Sequence, residues 1–323
     1  MIPGPALAAW LADRAAQDAS FARVQASAAK WGTHPLMTQL ERRLSELANP
    51  TQAAILAEAD RFMDQIQAID ELFADMIAGC RADPFFRPPL YPLSGDIHTG
   101  LLLFHNPMLS IALSVTGIDQ LAAKKVAHGG KGSIAFSGMP TKFRYLRAGG
   151  ATLSFWEAPG IGPDFVASGA GQARFVETRQ LGDGDEVMID GRHQSFVIEH
   201  AAGDMLFFQA MVRLGGAPIT AEYDRETLAF LSASSTDEAS SRVQMMVSLL
   251  RTMEREDALP LMERELDGPH FYTRWHVMRE MLALDAQAAL PALKRMAADD
   301  PHPEVRATAS QTLRMFFADE AAA

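Results

Sequence analysis

The stretch Leu181–His200, LGDGDEVMIDGRHQSFVIEH, decides how the middle of the chain is read. Two runs rich in β-formers, DEVMID and HQSFVIEH, surround Gly191 and Arg192, a turn signal. The pair reads as one hairpin of a small β-barrel, with His193 placed as the chain leaves the turn. On the second strand His193, Ser195, Val197 and Glu199 alternate with Gln194, Phe196, Ile198 and His200, so His193 and His200 cannot share one flat face.

The same texture extends outward on both sides. From about Tyr91 the chain holds LLLFHNPMLSIALSVTG, KGSIAFSG, TKFRYLRAGG, ATLSFWEAP and GDMLFFQAMVRLGG, short apolar or alternating runs divided by Gly, Pro, Asp and Asn. Seven or more such runs predict an antiparallel sandwich or barrel. In DMLFFQAMVRL, Leu206, Phe208, Ala210, Val212 and Leu214 make one wholly apolar face, while Met205, Phe207, Gln209, Met211 and Arg213 make a mixed one. One face is core and the other meets helices or a pocket.

Helical periodicity rules both ends. Ile55, Ala59, Phe62, Ile66, Ile69, Phe73 and Met76 form one stripe, so a long helix is expected from Asn49 as N-cap and Pro50 at the first position to Gly79 and Pro84. Its outer face, with Asp60, Asp64, Asp70, Glu71 and Asp75, is expected to be acidic and solvated. An earlier segment, AAWLADRAAQDASFARVQASAAKW, has a weaker helical period and packs beside it. After a helix centred on Val243–Met253, ALPLMERELDGPHFYTRWHVMREML and ALPALKRMAADDPHPEVRATASQTL align with a period of 31 to 32. Leu259-Pro260 meets Leu290-Pro291, Pro269-His270 meets Pro301-His302, and Arg274 meets Arg306. Such self-similarity marks stacked helix pairs, in which Arg274 and Arg306 tie neighbouring turns together. Trp275 and His276 depart from Ala307 and Thr308, which fits a bulkier core layer.

Two resemblances follow from these residues. LGDGDEVMIDGRHQSFVIEH, through Gly184, Asp185, Ile189 and Gly191, resembles the second half of a cupin, and AGGATLSFWEAP resembles an earlier strand pair. DPHPEVRATASQTL resembles a HEAT-type repeat, with an Asp-Pro turn before a helix opened by a Val-Arg pair. The fold class expected is α+β: an antiparallel cupin-like barrel or sandwich over 91–232, flanked by an N-terminal helical segment, 1–90, and a HEAT-like helical repeat, 233–323. Metal-binding cupins carry two histidines separated by one residue, a glutamate shortly after, and a third histidine in the second motif. This chain has no His-x-His, Asp190 stands where a proline is common, and only His193 matches a ligand position.

Replacement donors exist in the same region. Asp96 and His98 sit two residues apart, the spacing that puts a carboxylate and an imidazole on one strand face, and His105 follows across an apolar run. Asp96, His98, His105 and His193 are therefore the candidate ligands of a divalent metal such as iron, zinc or manganese, with Glu157 the candidate catalytic acid. Histidines at strand ends are more often hydrogen-bonded structural groups. Lys142 and Arg144, with Arg174 and Arg179, offer an anionic group a binding face, and solvated outer-face charges fit the same pattern. AHGGKGS lacks phosphate-loop spacing and reads as a turn; GAGQAR lacks a third glycine and reads as a loop.

Composition narrows the function classes. With 323 residues and 48% hydrophobic content the chain can build two or three cores. A net charge of −11 opposes a nucleic-acid backbone as a standing partner. A single cysteine, Cys80, excludes an internal disulfide, and no stretch is long enough to span a bilayer, so the expected setting is cytoplasmic. Two classes remain. The first is a barrel that binds a small ligand, with a helical tail that docks on a protein. The second is a metal-dependent oxygenase or isomerase of the cupin type, and the missing His-x-His favours the first.

Overall fold

The computed structural model describes residues 4–95, 97–127, 132–160, 162 and 165–317. Five helices open the chain: α1 (Pro5–Ala12), α2 (Arg14–Thr33), α3 (Pro35–Ser45), α4 (Gln52–Met63) and α5 (Ile66–Ala82). The single long helix expected from Asn49 is in fact two. The Thr51 hydroxyl accepts from the Ala54 amide and starts α4 two residues later than predicted. The chain then breaks at Asp64 and Gln65. The break lets α4 lie on a β-sheet while α5 turns back against α2. One apolar stripe thus serves two partners, and Ile55, Phe62, Ile69 and Met76 all enter one core.

The acidic face is also only partly solvated. Asp60 binds Lys142 at 2.7 Å, Asp64 binds Arg144 at 2.6 Å, and Asp75 pairs with Lys30 at 2.7 Å. The first two bonds fasten the helical layer to the sheet beneath it.

That sheet belongs to a jelly roll. The strands are β1 (Tyr91–Ser94), β2 (His98–His105), β3 (Leu109–Thr116), β4 (Ser133–Phe136), β5 (Pro140–Arg147) and β6 (Thr152–Glu157). β7 (Arg174–Gln180), β8 (Glu186–Asp190), β9 (Gln194–His200), β10 (Met205–Val212), β11 (Ile219–Asp224) and β12 (Phe230–Ser235) follow. One sheet has the order β1-β2-β3-β10-β5-β8 and another β7-β6-β9. Pairs β3/β10, β5/β8 and β6/β7 are antiparallel, and β4 lies beside β9, so β3 to β10 form one long hairpin rolled across two layers. This nesting defines the jelly roll, the architecture of cupins. β4 itself pairs with β11, and the small sheet β12-β11-β4 covers Trp156 and Val197 with its own core.

β10 accounts for the layering. Phe208, Ala210 and Val212 are buried beneath α4 with Leu109 and Ile111, while Met205 and Phe207 on the opposite face enter the jelly-roll core with Phe143, Tyr145 and Ile198. Both faces of this central strand bury apolar side chains: helices cover the wholly apolar face and the mixed face enters the jelly-roll core, while Leu214 lies past the strand and is exposed. At the β8–β9 turn the backbone passes so close to its neighbour that a Cβ on Gly191 would stand 2.5 Å from the Met139 carbonyl oxygen. Only glycine fits there.

The tail comprises α7 (Glu238–Thr252), α8 (Leu259–Arg264), α9 (Phe271–Leu284), α10 (Ala286–Asp299) and α11 (Pro303–Phe316). The internal repeat is physical. Arg274 donates to the carbonyls of Gly268 and Pro269, and Arg306, 32 positions on, donates to those of Asp300 and Pro301. Arg274 also grips both oxygens of buried Asp300 at 2.8 Å, joining one unit to the next. Trp275 packs into the tail core, as the bulkier layer requires, and His276 binds Ser248 of α7. His302 stacks on Phe271 at 3.9 Å and bonds the Phe165 carbonyl, and Tyr272 donates to the Pro218 carbonyl, so the tail docks on the jelly roll. Among the described residues no helix is long and apolar enough to cross a membrane.

The clamp makes a test. Replacing Arg274 with alanine leaves the Asp300 carboxylate buried without its partner and is expected to cost about 3–5 kcal/mol. Arg306→Ala removes bonds to carbonyls alone and is expected to cost about 1 kcal/mol. Urea denaturation of the two variants should separate them, and equal losses would refute the clamp.

Candidate functional site

The four candidate residues that can be described fall in different places. His98 opens β2, faces Thr116 of β3 across the ladder, and bonds the Thr116 hydroxyl through Nδ1 at 2.6 Å. Its ring meets Phe207 edge-on at 5.9 Å. Burial, and then the charge of Lys124, push the imidazole below its ordinary pKa, so its neutral form is favoured. His105 closes the same strand, roughly 20 Å away at the rise of an extended chain, and bonds Ser110 on the exposed surface. Asp96 lies outside the described residues.

His193 and Glu157 come together at another rim. His193 sits in the β8–β9 turn, where its carbonyl accepts from the Ala158 amide, and its Nδ1 is 3.7 Å from Asp190. Arg192 grips Asp190 and, ahead of an opposing effect of burial, holds that carboxyl below its usual range. Glu157 ends β6 and is taken up by Arg174 of β7 and Gln194 of β9. His105 and Asp190 flank the same end of the large sheet, but β3, β10 and β5 separate β2 from β8, again roughly 20 Å. Among the described candidates, His98, His105 and His193 therefore have no common point for a shared ion. Among the described residues no three His, Cys, Asp or Glu side chains are grouped so as to hold a metal ion. The described members of the donor set do not fit the metal that the cupin resemblance implies.

The cations of β5, which by sequence suit either an anionic ligand or solvent, meet carboxylates instead. Lys142 is bound by Asp60 and Glu186, and Arg144 by Asp60, Asp64 and Glu186. Burial opposes these charges, yet the carboxylates raise both pKa values. Arg179 pairs with Glu177 and lies over Phe155 at 4.7 Å. All of these cations are consumed by internal ion pairs. Residues 128–131 of AHGGKGS lie outside the described residues, and GAGQAR is a loop whose Ala170 carbonyl accepts from Tyr223.

One cavity does gather chemistry around His98. It has a volume of about 420 Å³ and lies between the start of β2, the edge of β9, β4 and a helix, α6 (Ile118–Ala127). Sequence reasoning missed α6, and with it the site. Its signal is the turn of helix in GIDQLAAKKVA, where Leu121 stands three and four residues before Lys124 and Lys125. Asp204 accepts from the Ile118 amide and fixes the helix start. Leu121 dips into the jelly-roll core, which places both lysines at the cavity. Phe196 and Ile198 of β9 form the floor, and Arg225, just past β11, closes the far side.

Glu199 organises this wall from behind. Arg225 donates to both of its oxygens at 2.5 and 2.6 Å, Ser154 donates to one of them, and Trp156 supports Ser154 at 2.9 Å. The Lys125 ammonium donates to the Glu199 backbone carbonyl. Burial alone would raise the Glu199 pKa, but the bonds from Arg225 and Ser154 and the charges of Arg225 and Lys125 bring it below the ordinary value. The arrangement fixes cationic groups above an apolar floor, a geometry suited to binding.

A family profile for HEAT repeats matches residues 224–314. No curated protein matches the chain. Among solved structures, ectoine synthase from P. lautus is 11% identical over 46% of this chain and 85% of its own, with a TM-score of 0.24. A cupin domain from Bordetella pertussis Tohama I is 11% identical over 37% of this chain and 97% of its own, with a TM-score of 0.22. An RmlC-like cupin from Shewanella frigidimarina is 9% identical over 39% and 86%, with a TM-score of 0.23. The β region is cupin-like by its strand order, and the tail is HEAT-like.

The Glu199 network carries a pH signature. A carboxyl whose pKa is lowered in the folded state stabilises the fold above its unfolded value, about 4.3, and that stability is lost as pH falls through the lower folded value. Arg225→Gln removes the charge that holds Glu199 down, so its urea midpoint should fall less steeply between about pH 5 and 3 than that of the wild type. Parallel slopes would show that the pair contributes nothing to acid stability.

Proposed function

We propose that the protein is a small-molecule-binding jelly roll whose HEAT-like tail serves as a protein-docking module. The observation that carries this reading is the cavity beneath α6, where an apolar floor and a few fixed polar groups meet in a space of about 420 Å³. Small-ligand sites pair apolar walls with polar groups that orient the guest, and here the lining is about evenly divided between the two. His98 takes part as a neutral hydrogen-bonding group of the wall, braced by Thr116.

The tail supports the second half of the reading. Helical repeats present extended faces to partners, and α7 exposes Met245, Met246, Leu249 and Met253, a stripe rich in the adaptable side chain common at docking surfaces. Half-buried hydrogen bonds between the tail and the jelly roll join the two parts.

Ala135 offers a direct test, because it lines the cavity from an exposed position and is held through its backbone, by pairing with Glu222 and by the Ser195 hydroxyl on its carbonyl. Compounds that raise the melting temperature of the wild type in a small-molecule screen should lose at least about tenfold in affinity, or about 1.4 kcal/mol, in Ala135→Trp. The melting temperature of that variant without ligand should move by less than about 2 °C. Ligands that bind both proteins equally would place the site elsewhere.

A further inference from the structure

We infer that the N-terminal helices hold a second ligand site, separate from the cavity beneath α6, which takes a neutral polyhydroxylated molecule such as a sugar. α3 packs on α4, and beside them, where the chain breaks before α5, lies a cavity of about 580 Å³. This volume falls within the range of small-ligand pockets, about 300–1,000 Å³. Every residue of its lining is among the described ones.

Glu58 of α4 carries the inference. It lines the cavity and is only 8% exposed. Its Oε1 accepts from Arg61 at 2.6 Å. Its Oε2 is buried and accepts no hydrogen bond among the described residues. Arg43 of α3 stands over that oxygen with Nη1 at 3.7 Å, beyond hydrogen-bond reach, and this is the one ion pair that Arg43 makes among the described residues. A buried carboxylate oxygen without a donor is costly, and folded proteins seldom leave one so.

The gap itself specifies the chemistry. A group that enters it has to donate to Oε2 and accept from the Arg43 guanidinium. Two hydrogen bonds of about 2.8 Å that meet at one oxygen span 3.7 Å at close to a right angle. A hydroxyl has both the proton and the lone pairs, whereas an ammonium has no lone pair and a carboxylate has no proton. Water meets the same condition at one point, so a ligand outcompetes it by carrying several hydroxyls on one frame. The rest of the lining suits that frame. Arg61 offers further donors, His34 accepts from the Leu36 amide through Nδ1 and so keeps its proton on Nε2, and the Gln39 and Gln65 amides both donate and accept.

Ligand-observed NMR and calorimetry of the full chain with D-glucose, D-galactose, D-mannose, D-ribose and myo-inositol test this, with D-glucosamine, D-glucuronate and inorganic phosphate as charged counterparts. At least one neutral compound is expected to bind, and to lose at least about tenfold in affinity in Glu58→Gln and in Arg43→Met. In the first variant Arg61 holds the amide oxygen, so an NH2 group that cannot accept takes the place of Oε2. The second changes a half-exposed side chain, so its melting temperature should stay within about 2 °C of the wild type. Gln39→Trp, which fills the cavity from an exposed position, should abolish binding, and Ala135→Trp in the cavity beneath α6 should leave it unchanged. Binding by the amine, the uronate or phosphate but by no neutral compound would overturn the hydroxyl. A neutral compound indifferent to Arg43→Met and Gln39→Trp would place it elsewhere and overturn the site, and one that answers to Ala135→Trp instead would assign it to the first cavity. If no neutral compound binds, water alone serves Oε2 and the inference fails.

Discussion

A strand that carries large apolar side chains on both faces must be covered on both faces, and β10 imposes this on the whole molecule. Phe208, Ala210 and Val212 require a layer above the large sheet, and Met205 and Phe207 require one below. The jelly roll closes the lower side with its own second sheet. The upper side cannot be closed by β-structure from the same roll, and the N-terminal helices supply the cover. Burial of this kind is worth about 25 cal/mol per Å² of apolar surface, so a bare sheet face of several aliphatic and aromatic side chains would be a standing liability. The ion pairs from Asp60 and Asp64 to Lys142 and Arg144 then set where the helical layer sits rather than whether it binds.

What was legible in the sequence followed from local periodicity. The alternation in Met205–Val212, the stripe from Ile55 to Met76 and the paired arginines 274 and 306 each report a contact pattern that repeats along the chain. The helix break at Asp64 and Gln65 was hidden because the apolar stripe runs through it without a proline or glycine to mark the interruption. Its cause lies across the interface, where the first helix follows a sheet and the second follows α2.

The site was less legible for a related reason. Lys124, Lys125 and Arg225 are separated by about a hundred residues and meet only because α6 and the end of β11 flank the edge of β9. Histidines stand out in a sequence by their chemistry, yet His98 and His105 are held at opposite ends of one strand by Thr116 and Ser110. The cations of β5 looked equally available and are occupied by carboxylates from two other elements. Which charges remain for a ligand is decided by tertiary pairing, and single-residue reasoning cannot see the subtraction.

The Arg274–Asp300 bond has a consequence for how the tail behaves as a material. In a long solenoid each unit leans only on its neighbours, so the ends fray while the middle persists. Here one guanidinium belongs to the first unit and the carboxylate it closes on sits at the turn inside the second, and both are sealed from water. With so few units and that shared rivet, neither can loosen by itself. The tail should open in one cooperative step, which makes it a rigid lever rather than a spring.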